Sequence, residues 1–245
     1  MANKKKTTVF KAGAVRSNQV NSLYLTEQSP FAVQEAYKAL RTNLSFSLMD
    51  KKIVGITSPQ QHDGKSTVSL NLATAFAMNG KKVLLIDCDL HLPVLAKNLK
   101  VAQEPGFSNF MIREASFSEC IRKVKGTEAD FMPSGTVPPD ASRILDSTAM
   151  DEFLKKLTPR YDLILLDLPP LSATADAAML SKHGVEGFLV VVRHEFSDIR
   201  AISDLIKKME LVDAELLGFI YNDVPIKSKG SYYKDGYGYG YGYGG

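Results

Sequence analysis

Six short segments are apolar at almost every position, and this feature constrains the fold more than any other. We interpret them as β-strands at residues 53–57, 83–87, 130–132, 163–167, 188–192 and 216–221. Strands that lack polar alternation are covered on both faces of their sheet. Stretches with a helical spacing of apolar residues accompany them, at residues 65–79, 142–158, 173–181 and 198–209. This alternation predicts an α/β fold, with a mostly parallel sheet and helices on both faces.

The two ends of the chain differ in composition from its middle. The first 20 residues carry five basic and no acidic side chains, so we expect residues 1–29 to be a flexible basic segment. Residues 230–245 hold six of the ten tyrosines and seven of the seventeen glycines, which cannot offset the entropy of ordering a backbone. One folded domain is therefore predicted at residues 30–229, beginning with an amphipathic helix at residues 30–48.

Composition excludes several classes of protein. A chain of 245 residues with 44% hydrophobic and 23% charged residues is typical of a globular protein. Its apolar runs are far shorter than the roughly 20 residues of a membrane-spanning helix. Two cysteines are too few for a disulfide framework, and no secretory signal is recognisable. We expect a protein of the reducing cytosol, with Cys88 as a buried structural thiol.

The sequence Gly64-Lys65-Ser66-Thr67 stands between a predicted strand and a predicted helix. At such a junction the helix N-terminus and successive backbone amides attract phosphate groups. The lysine can reach the outer phosphate oxygens, and the serine hydroxyl can bind Mg²⁺. The match to a phosphate-binding loop is partial, because Pro59 stands where the usual pattern has glycine.

Two predicted strands end in carboxylates. Asp167 follows the apolar run at residues 163–166, a position from which an aspartate reaches the Mg²⁺ of a bound nucleotide. Asp87 and Asp89 end the run that begins at residue 83, and alternation along a strand places both on the same side. Ligands of open α/β sheets bind beyond the carboxyl ends of the strands. The loop and the carboxylates are therefore predicted to meet in one crevice.

Taken together, these motifs resemble those of the bacterial tyrosine kinases, which are relatives of the deviant Walker ATPases. The resemblance rests on Walker A at residues 58–67, Walker A′ at 84–89, Walker B at 163–170 and the C-terminal tyrosines. It implies a P-loop NTPase-like fold, ATP and Mg²⁺ as cofactors, and autophosphorylation in trans. The family controls capsule or exopolysaccharide synthesis. The implied acceptors are Tyr232, Tyr233, Tyr237, Tyr239, Tyr241 and Tyr243.

The resemblance also implies roles for individual residues. Lys65 would bind the phosphates, and Ser66 and Asp167 would bind Mg²⁺, Asp167 directly or through water. Asp87 would act as the base or in a role linked to the metal, and Asp89 would support either. The remaining nucleotide-binding residues are implied to be Asp63, Gly64, Thr67 and Asn222.

Partners are implied in the same way. Glu35, Lys38 and Arg41 are spaced three apart on the predicted first helix and resemble the family's oligomerisation motif, with lysine in place of its first arginine. A homo-oligomeric ring is therefore expected. A separate transmembrane activator would recruit the chain to the inner face of the membrane. Other protein substrates and a cognate phosphotyrosine phosphatase are expected, and nucleic acid is not.

Departures from the family pattern leave two alternatives open. Gln61 and His62 replace the usual Pro-Gly of the loop, and His91 replaces a basic residue after Walker A′. His62 adopts an unusual backbone angle less readily than glycine, so a catalytically weak scaffold is one alternative. The other is a dimeric ATPase switch for positioning or partition. Gln60 argues against that switch, because that group has a signature lysine there.

Overall fold

The computed structural model describes residues 9–11, 24–48, 50–172 and 179–225. These residues form a single eight-stranded sheet with the strand order β1-β8-β7-β2-β6-β3-β5-β4. The strands are β1 Val9–Lys11, β2 Ile53–Thr57, β3 Val83–Asp87, β4 Arg122–Lys123, β5 Asp130–Met132, β6 Leu163–Asp167, β7 Gly187–Arg193 and β8 Leu216–Asn222. Every neighbouring pair is parallel except β4 with β5, which is antiparallel.

Eight α-helices and one 3₁₀ helix are present among the described residues. The α-helices are α1 Phe31–Ser47, α2 Lys65–Ala77, α3 Leu95–Leu99, α4 Phe107–Met111, α5 Phe117–Cys120, α6 Ala141–Leu145, α7 Thr148–Leu157 and α8 Ile199–Leu211. The 3₁₀ helix spans Leu180–His183. No helix in the described part of the chain is both long and apolar enough to cross a membrane.

The core confirms that both faces of the sheet are covered. Every residue of β2, β3 and β6 is buried. On one face α1 and α2 pack against the sheet through side chains such as Leu44 and Leu72. On the other face α4, α7 and α8 contribute Phe107, Phe153 and Leu205. The α/β prediction is therefore confirmed.

Most predicted elements are found within a residue or two of their expected bounds. The strands at 53–57, 83–87, 130–132 and 163–167 have the predicted bounds. The last two predicted strands are one or two residues longer in the structure. The single helix predicted at 142–158 is wrong. Asp146 and Ser147 leave the helical conformation, and Ser147 has the extended backbone of an N-cap, so the segment forms α6 and α7. Residues 173–178 of another predicted helix lie outside the described residues.

Several short elements were not expected from the sequence. The edge strand β1 lies within the predicted basic segment and pairs with β8. The two-residue strand β4 and the helices α3, α4 and α5 have only two to five residues each. Elements of that length are too short to show a periodicity, which is why the pattern analysis missed them.

The sheet register positions the candidate site. The central strands β2, β6 and β3 are neighbours, and their carboxyl ends lie at the same edge. Asp87 and Asp167 are direct register partners on β3 and β6. The loop that follows β2 leads into α2 at the same edge.

Candidate active site

The phosphate-binding loop joins β2 to α2 and turns at Gly64. This residue has φ +88°, which favours glycine, and a Cβ atom there would lie 2.1 Å from Nδ2 of Asn222. That Asn222 amide donates a hydrogen bond to the backbone oxygen of Asp63 at 2.9 Å. The end of β8 therefore contacts the loop, and a side chain at residue 64 would have to displace the Asn222 amide.

Asp63 holds the same loop from within. Its carboxylate accepts hydrogen bonds from the backbone N–H of Gln60 at 3.0 Å and from the hydroxyl of Ser197 at 2.7 Å. Burial raises the pKa of Asp63, and these two hydrogen bonds partly oppose the rise. Asp63 and Asn222 were expected to bind nucleotide. In the structure both residues stabilise the loop through hydrogen bonds, and Asp63 also lines the cavity described below.

Lys65 is buried and surrounded by carboxylates. Its Nζ lies 2.9 Å from Oδ2 of Asp167 and 3.5 Å from Oδ2 of Asp89, and it donates to Oγ of Ser66 at 3.1 Å. Burial alone would lower the pKa of Lys65, but the charges of Asp167 and Asp89 outweigh it and raise the pKa above its ordinary value. Lys65 is therefore a cation at neutral pH.

We call Asp87, Asp89 and Asp167 the carboxylate cluster. Oδ1 of Asp87 accepts the backbone N–H of Asp89 at 3.2 Å, whereas its Oδ2 is buried with no hydrogen-bond partner. Burial and the neighbouring charge of Asp167 raise the pKa of Asp87 well above its ordinary value. Oδ1 of Asp167 accepts the hydroxyl of Ser69 at 2.8 Å. The sequence prediction that these carboxylates meet is confirmed by this geometry.

The cluster fits Mg²⁺ with the help of a nucleotide. The unpartnered Oδ2 of Asp87 and the Oδ2 of Asp167 are hard oxygen donors of the kind Mg²⁺ prefers. No group of three or more His, Cys, Asp or Glu side chains in the described ranges is arranged to hold a metal ion by itself. Mg²⁺ commonly uses one or two carboxylates together with substrate phosphates and water. Ser66 and these two aspartates can supply the protein's share.

A cavity of about 380 Å³ opens above these groups. The loop lines one side of it, and the segment after β3 and the prolines after β6 line the other. Its walls include Gln60, Gln61, His62, Lys65, Ser66, Thr67, Asp89, His91, Leu92, Val94, Pro169 and Pro170. The crevice predicted at the carboxyl ends of the strands is therefore present.

His62 has a left-handed backbone conformation. Its φ is +67°, and its backbone oxygen accepts a hydrogen bond from Nη1 of Arg193 at 3.1 Å. Arg193 is itself held by Asp223, whose Oδ2 accepts from Nε at 3.0 Å and lies 2.9 Å from Nη2. The backbone angle confirms the expectation that His62 replaces the family's glycine at a position with an unusual φ. A non-glycine residue there costs roughly 1 kcal/mol.

The predicted oligomerisation residues lie away from the cavity on α1. Lys38 and Glu35 form an exposed ion pair at 3.3 Å, and Arg41 donates to the backbone oxygen of Ala75 on α2 at 3.2 Å. The acceptor tyrosines at 232–243 lie outside the described residues. Cys88 is buried as expected, and burial raises the pKa of its thiol well above the usual value.

Sequence reasoning assigned no role at the site to three residues that support it: Ser69, Arg193 and Ser197. Ser69 stands four residues after Lys65, so its position one helical turn later on the same face was available as a signal. Arg193 and Ser197 come after β7, and nothing in their local pattern indicates that they contact the loop after β2.

Known proteins match both the sequence and the fold. The AAA domain family model matches residues 51–220. The tyrosine-protein kinase YwqD of Bacillus subtilis (strain 168) is 30% identical over 216 residues, which cover 87% of this chain and 90% of that protein. The kinase domain of the Escherichia coli tyrosine kinase ETK superposes with a TM-score of 0.80 at 28% identity, covering 94% of this chain and 95% of that domain.

A more distant match bears on the alternative function. The septum site-determining protein MinD of Pyrococcus horikoshii, solved with Mg-ADP, is 27% identical. Its TM-score is 0.58, and the match covers 70% of each chain. The kinase domain therefore matches a larger share of the chain at a higher TM-score than the positioning ATPase does. On the family model, the curated kinase relative and this fold, the chain belongs to the bacterial tyrosine kinase family.

Proposed function

We propose that this chain is an ATP-dependent protein-tyrosine kinase that phosphorylates its own C-terminal tyrosines in trans. The observation that carries the proposal is the convergence of Lys65 with the carboxylate cluster under the phosphate-binding loop. A tyrosine hydroxyl with a pKa near 10 is a poor nucleophile, and a nearby carboxylate can accept its proton. A cation and Mg²⁺ ligands at the same place suit the charge of a transferring phosphoryl group.

Each residue of the site has a distinct part in this proposal. Lys65 would contact the outer phosphate oxygens, and Ser66 and Asp167 would hold Mg²⁺. Asp87 accepts the proton of the tyrosine hydroxyl or completes the metal site, and Asp89 supports either role. Mg²⁺, when bound, neutralises charge on the phosphates. Gly64 and Thr67 bring the start of α2 to the phosphates, where helix N-terminal amides favour anions.

The phosphoryl step is a substitution at phosphorus. The phenolic oxygen of a tail tyrosine forms a bond to the γ-phosphorus of ATP, and the bond from that phosphorus to the bridging oxygen of ADP breaks. The hydroxyl proton passes to a carboxylate of the cluster and then to solvent. Asp87 suits this role because its Oδ2 is buried without a hydrogen-bond partner and is free to accept a proton.

Partners and location follow from the family and belong to the same proposal. A ring of subunits assembles through Glu35, Lys38 and Arg41, two of which are exposed on α1. A separate transmembrane activator recruits the chain to the inner face of the membrane. The activity regulates capsule or exopolysaccharide synthesis, acts on further tyrosine-containing proteins, and is reversed by a phosphotyrosine phosphatase.

An ATPase switch is the second candidate, because MinD, solved with Mg-ADP, shares the fold. Gln60, however, uses its side chain to donate to the backbone oxygen of Phe196 at 3.3 Å and has no charge to offer a phosphate. A weak scaffold is the third candidate, favoured by the strained φ of His62.

One experiment separates the three. The full chain is incubated with ATP and Mg²⁺, and both phosphotyrosine and released phosphate are measured. The kinase labels its tail, the switch releases phosphate without labelling, and the scaffold does neither. A full-length variant with all six tail tyrosines changed to phenylalanine serves as the control for the labelled site. Labelling that persists in this variant would contradict the proposed acceptors.

A further inference from the structure

The segment after β3 presents two apolar side chains to the cavity. Leu92 is 57% exposed and Val94 is 42% exposed, and both line the cavity that contains Lys65 and Asp89. We call Leu92 and Val94 the apolar lip. Exposed aliphatic side chains beside a charged reaction site indicate contact with an apolar group of a ligand.

The lip is held in place by its neighbours. The backbone N–H of Leu92 donates to Oδ1 of Asp89 at 3.2 Å, which ties the lip directly to the carboxylate cluster. Leu90 and Leu95 on either side are fully buried in the core. Leu92 and Val94 are therefore exposed by the path of an anchored backbone.

The tyrosine-rich tail at residues 230–245 has a matching chemistry. It contains no aliphatic side chain, and Lys234 and Asp235 are its only charged residues, so their charges cancel. Aromatic rings are the principal apolar groups that this segment can offer to a surface. From Tyr237 to Tyr243 tyrosine and glycine alternate, so an extended backbone presents successive rings on one side.

The exit of the tail is also at the right edge of the molecule. The described chain continues to Pro225, three residues beyond Asn222, whose side chain contacts the phosphate-binding loop. The 20 residues that follow can span at most about 70 Å when extended. This length is enough to reach the cavity, which lies at the same edge of the sheet as Asn222.

We propose that the apolar lip is the docking surface for the aromatic ring of the acceptor tyrosine, and that the occupant is the tyrosine-rich tail. A ring packed on Leu92 and Val94 lies beside Asp89, so its hydroxyl enters the cavity that holds Lys65. The inference rests on the proposed function for its biological meaning. It adds the surface that selects tyrosine over smaller hydroxyl residues.

Binding is measured apart from phosphoryl transfer. The protein is the full chain with its six tail tyrosines changed to serine, so that its own tail does not compete. The probe is a fluorescent peptide with the sequence of residues 230–245, titrated in the presence of ADP and Mg²⁺ and followed by anisotropy. Leu92→Ser should weaken binding roughly fivefold to tenfold, as expected from loss of a partly buried leucine contact.

Leu211→Ser is the matched control. Leu211 is 84% exposed at the end of α8 and is not among the residues that line the cavity, so this change should leave peptide affinity as it was. A peptide with phenylalanine in place of tyrosine should still bind, whereas a serine peptide should not. The docking proposal would be overturned if the proteins with and without Leu92→Ser bound the peptide equally well. It would also be overturned if the phenylalanine peptide did not bind.

The result is distinguishable from failure of the kinase proposal. If the peptide binds through the lip but the wild-type chain never labels it with ATP, then the docking surface stands and the kinase assignment fails. If the chain labels the peptide and Leu92→Ser changes neither its affinity nor its KM, then the kinase assignment stands and the lip is wrong.

Discussion

Oγ of Ser69 lies 2.8 Å from Oδ1 of Asp167, so the two oxygens of that carboxylate face different partners. Oδ1 contacts the buried hydroxyl on α2, while Oδ2 faces Lys65 at 2.9 Å. The serine therefore fixes the orientation of the carboxylate, and with it the oxygen available to a metal.

Ser69→Ala should weaken Mg²⁺ binding in the presence of ADP. A hydrogen bond to a charged group contributes about 1.5 kcal/mol or more, so we expect roughly a tenfold loss of apparent Mg²⁺ affinity. A Mg²⁺ titration with a fluorescent ADP analogue measures it. Ser69→Thr should retain the effect of the hydroxyl. Thr74→Ala removes another buried hydroxyl of α2, which donates to the backbone oxygen of Leu70, and should leave the titration unchanged.

Lys65→Met should abolish tail phosphorylation and also destabilise the fold. Removing the cation leaves buried carboxylates without their counter-charge, which costs about 3 kcal/mol or more. Urea unfolding in the absence of metal measures the loss. Lys38→Met breaks the exposed pair with Glu35 and should change stability by less than about 0.5 kcal/mol. Equal stability of the two variants would contradict the buried charge cluster.

Gly64→Ala and Gly80→Ala separate backbone strain from crowding. Their φ angles are +88° and +83°, but a Cβ atom at residue 64 meets Asn222 whereas one at residue 80 meets nothing within 4 Å. We expect Gly80→Ala to cost about 1 kcal/mol and to leave nucleotide affinity intact. Gly64→Ala should cost clearly more and lower affinity for ADP, as measured by thermal unfolding and nucleotide titration. A similar loss of stability and of ADP affinity in both variants would show that the Asn222 side chain moves aside at little cost.

The sequence was sufficient for the central strands and for the carboxylates that end them. Asp87 and Asp167 could be placed because apolar runs define β3 and β6, and parallel strands share their carboxyl edge. The contacts that hold the loop could not be placed. Asn222 was implied only as a nucleotide-binding residue, and it lies with Arg193 and Ser197 130 or more residues from the loop along the chain, so only the strand order brings the three to it.

The break between α6 and α7 shows the same limit on a smaller scale. The apolar spacing from residue 142 to 158 is compatible with one helix, and the pattern alone does not reveal an interruption. Asp146 and His183 meet at 2.7 Å in the structure, so a tertiary contact is made where the helix stops. Such contacts override local preference and are not encoded in a single segment.

His183 makes the stability of the protein dependent on pH. Its Nε2 lies 2.7 Å from Oδ1 of Asp146, and its Nδ1 lies 3.3 Å from Oδ2 of Asp151. Burial alone would lower the pKa of His183, but the two carboxylates outweigh it and raise the pKa above 6.5. A histidine whose folded pKa is raised stabilises the fold fully below its unfolded pKa. That contribution is lost as the pH rises through the folded pKa.

We therefore expect the free energy of unfolding to fall by about 0.5–1 kcal/mol between pH 6 and pH 9 from this group, a small value because Asp146 is half-exposed and solvent screens the pair. Urea unfolding at several pH values measures it. His183→Asn cannot take up the proton, so its pH dependence should be flatter than that of the wild type. Asp146→Asn should reduce the same slope while keeping the imidazole. If the wild type and both variants show the same pH dependence of unfolding free energy, then these carboxylates do not raise the pKa of His183. Linkage requires the slopes to differ if they do.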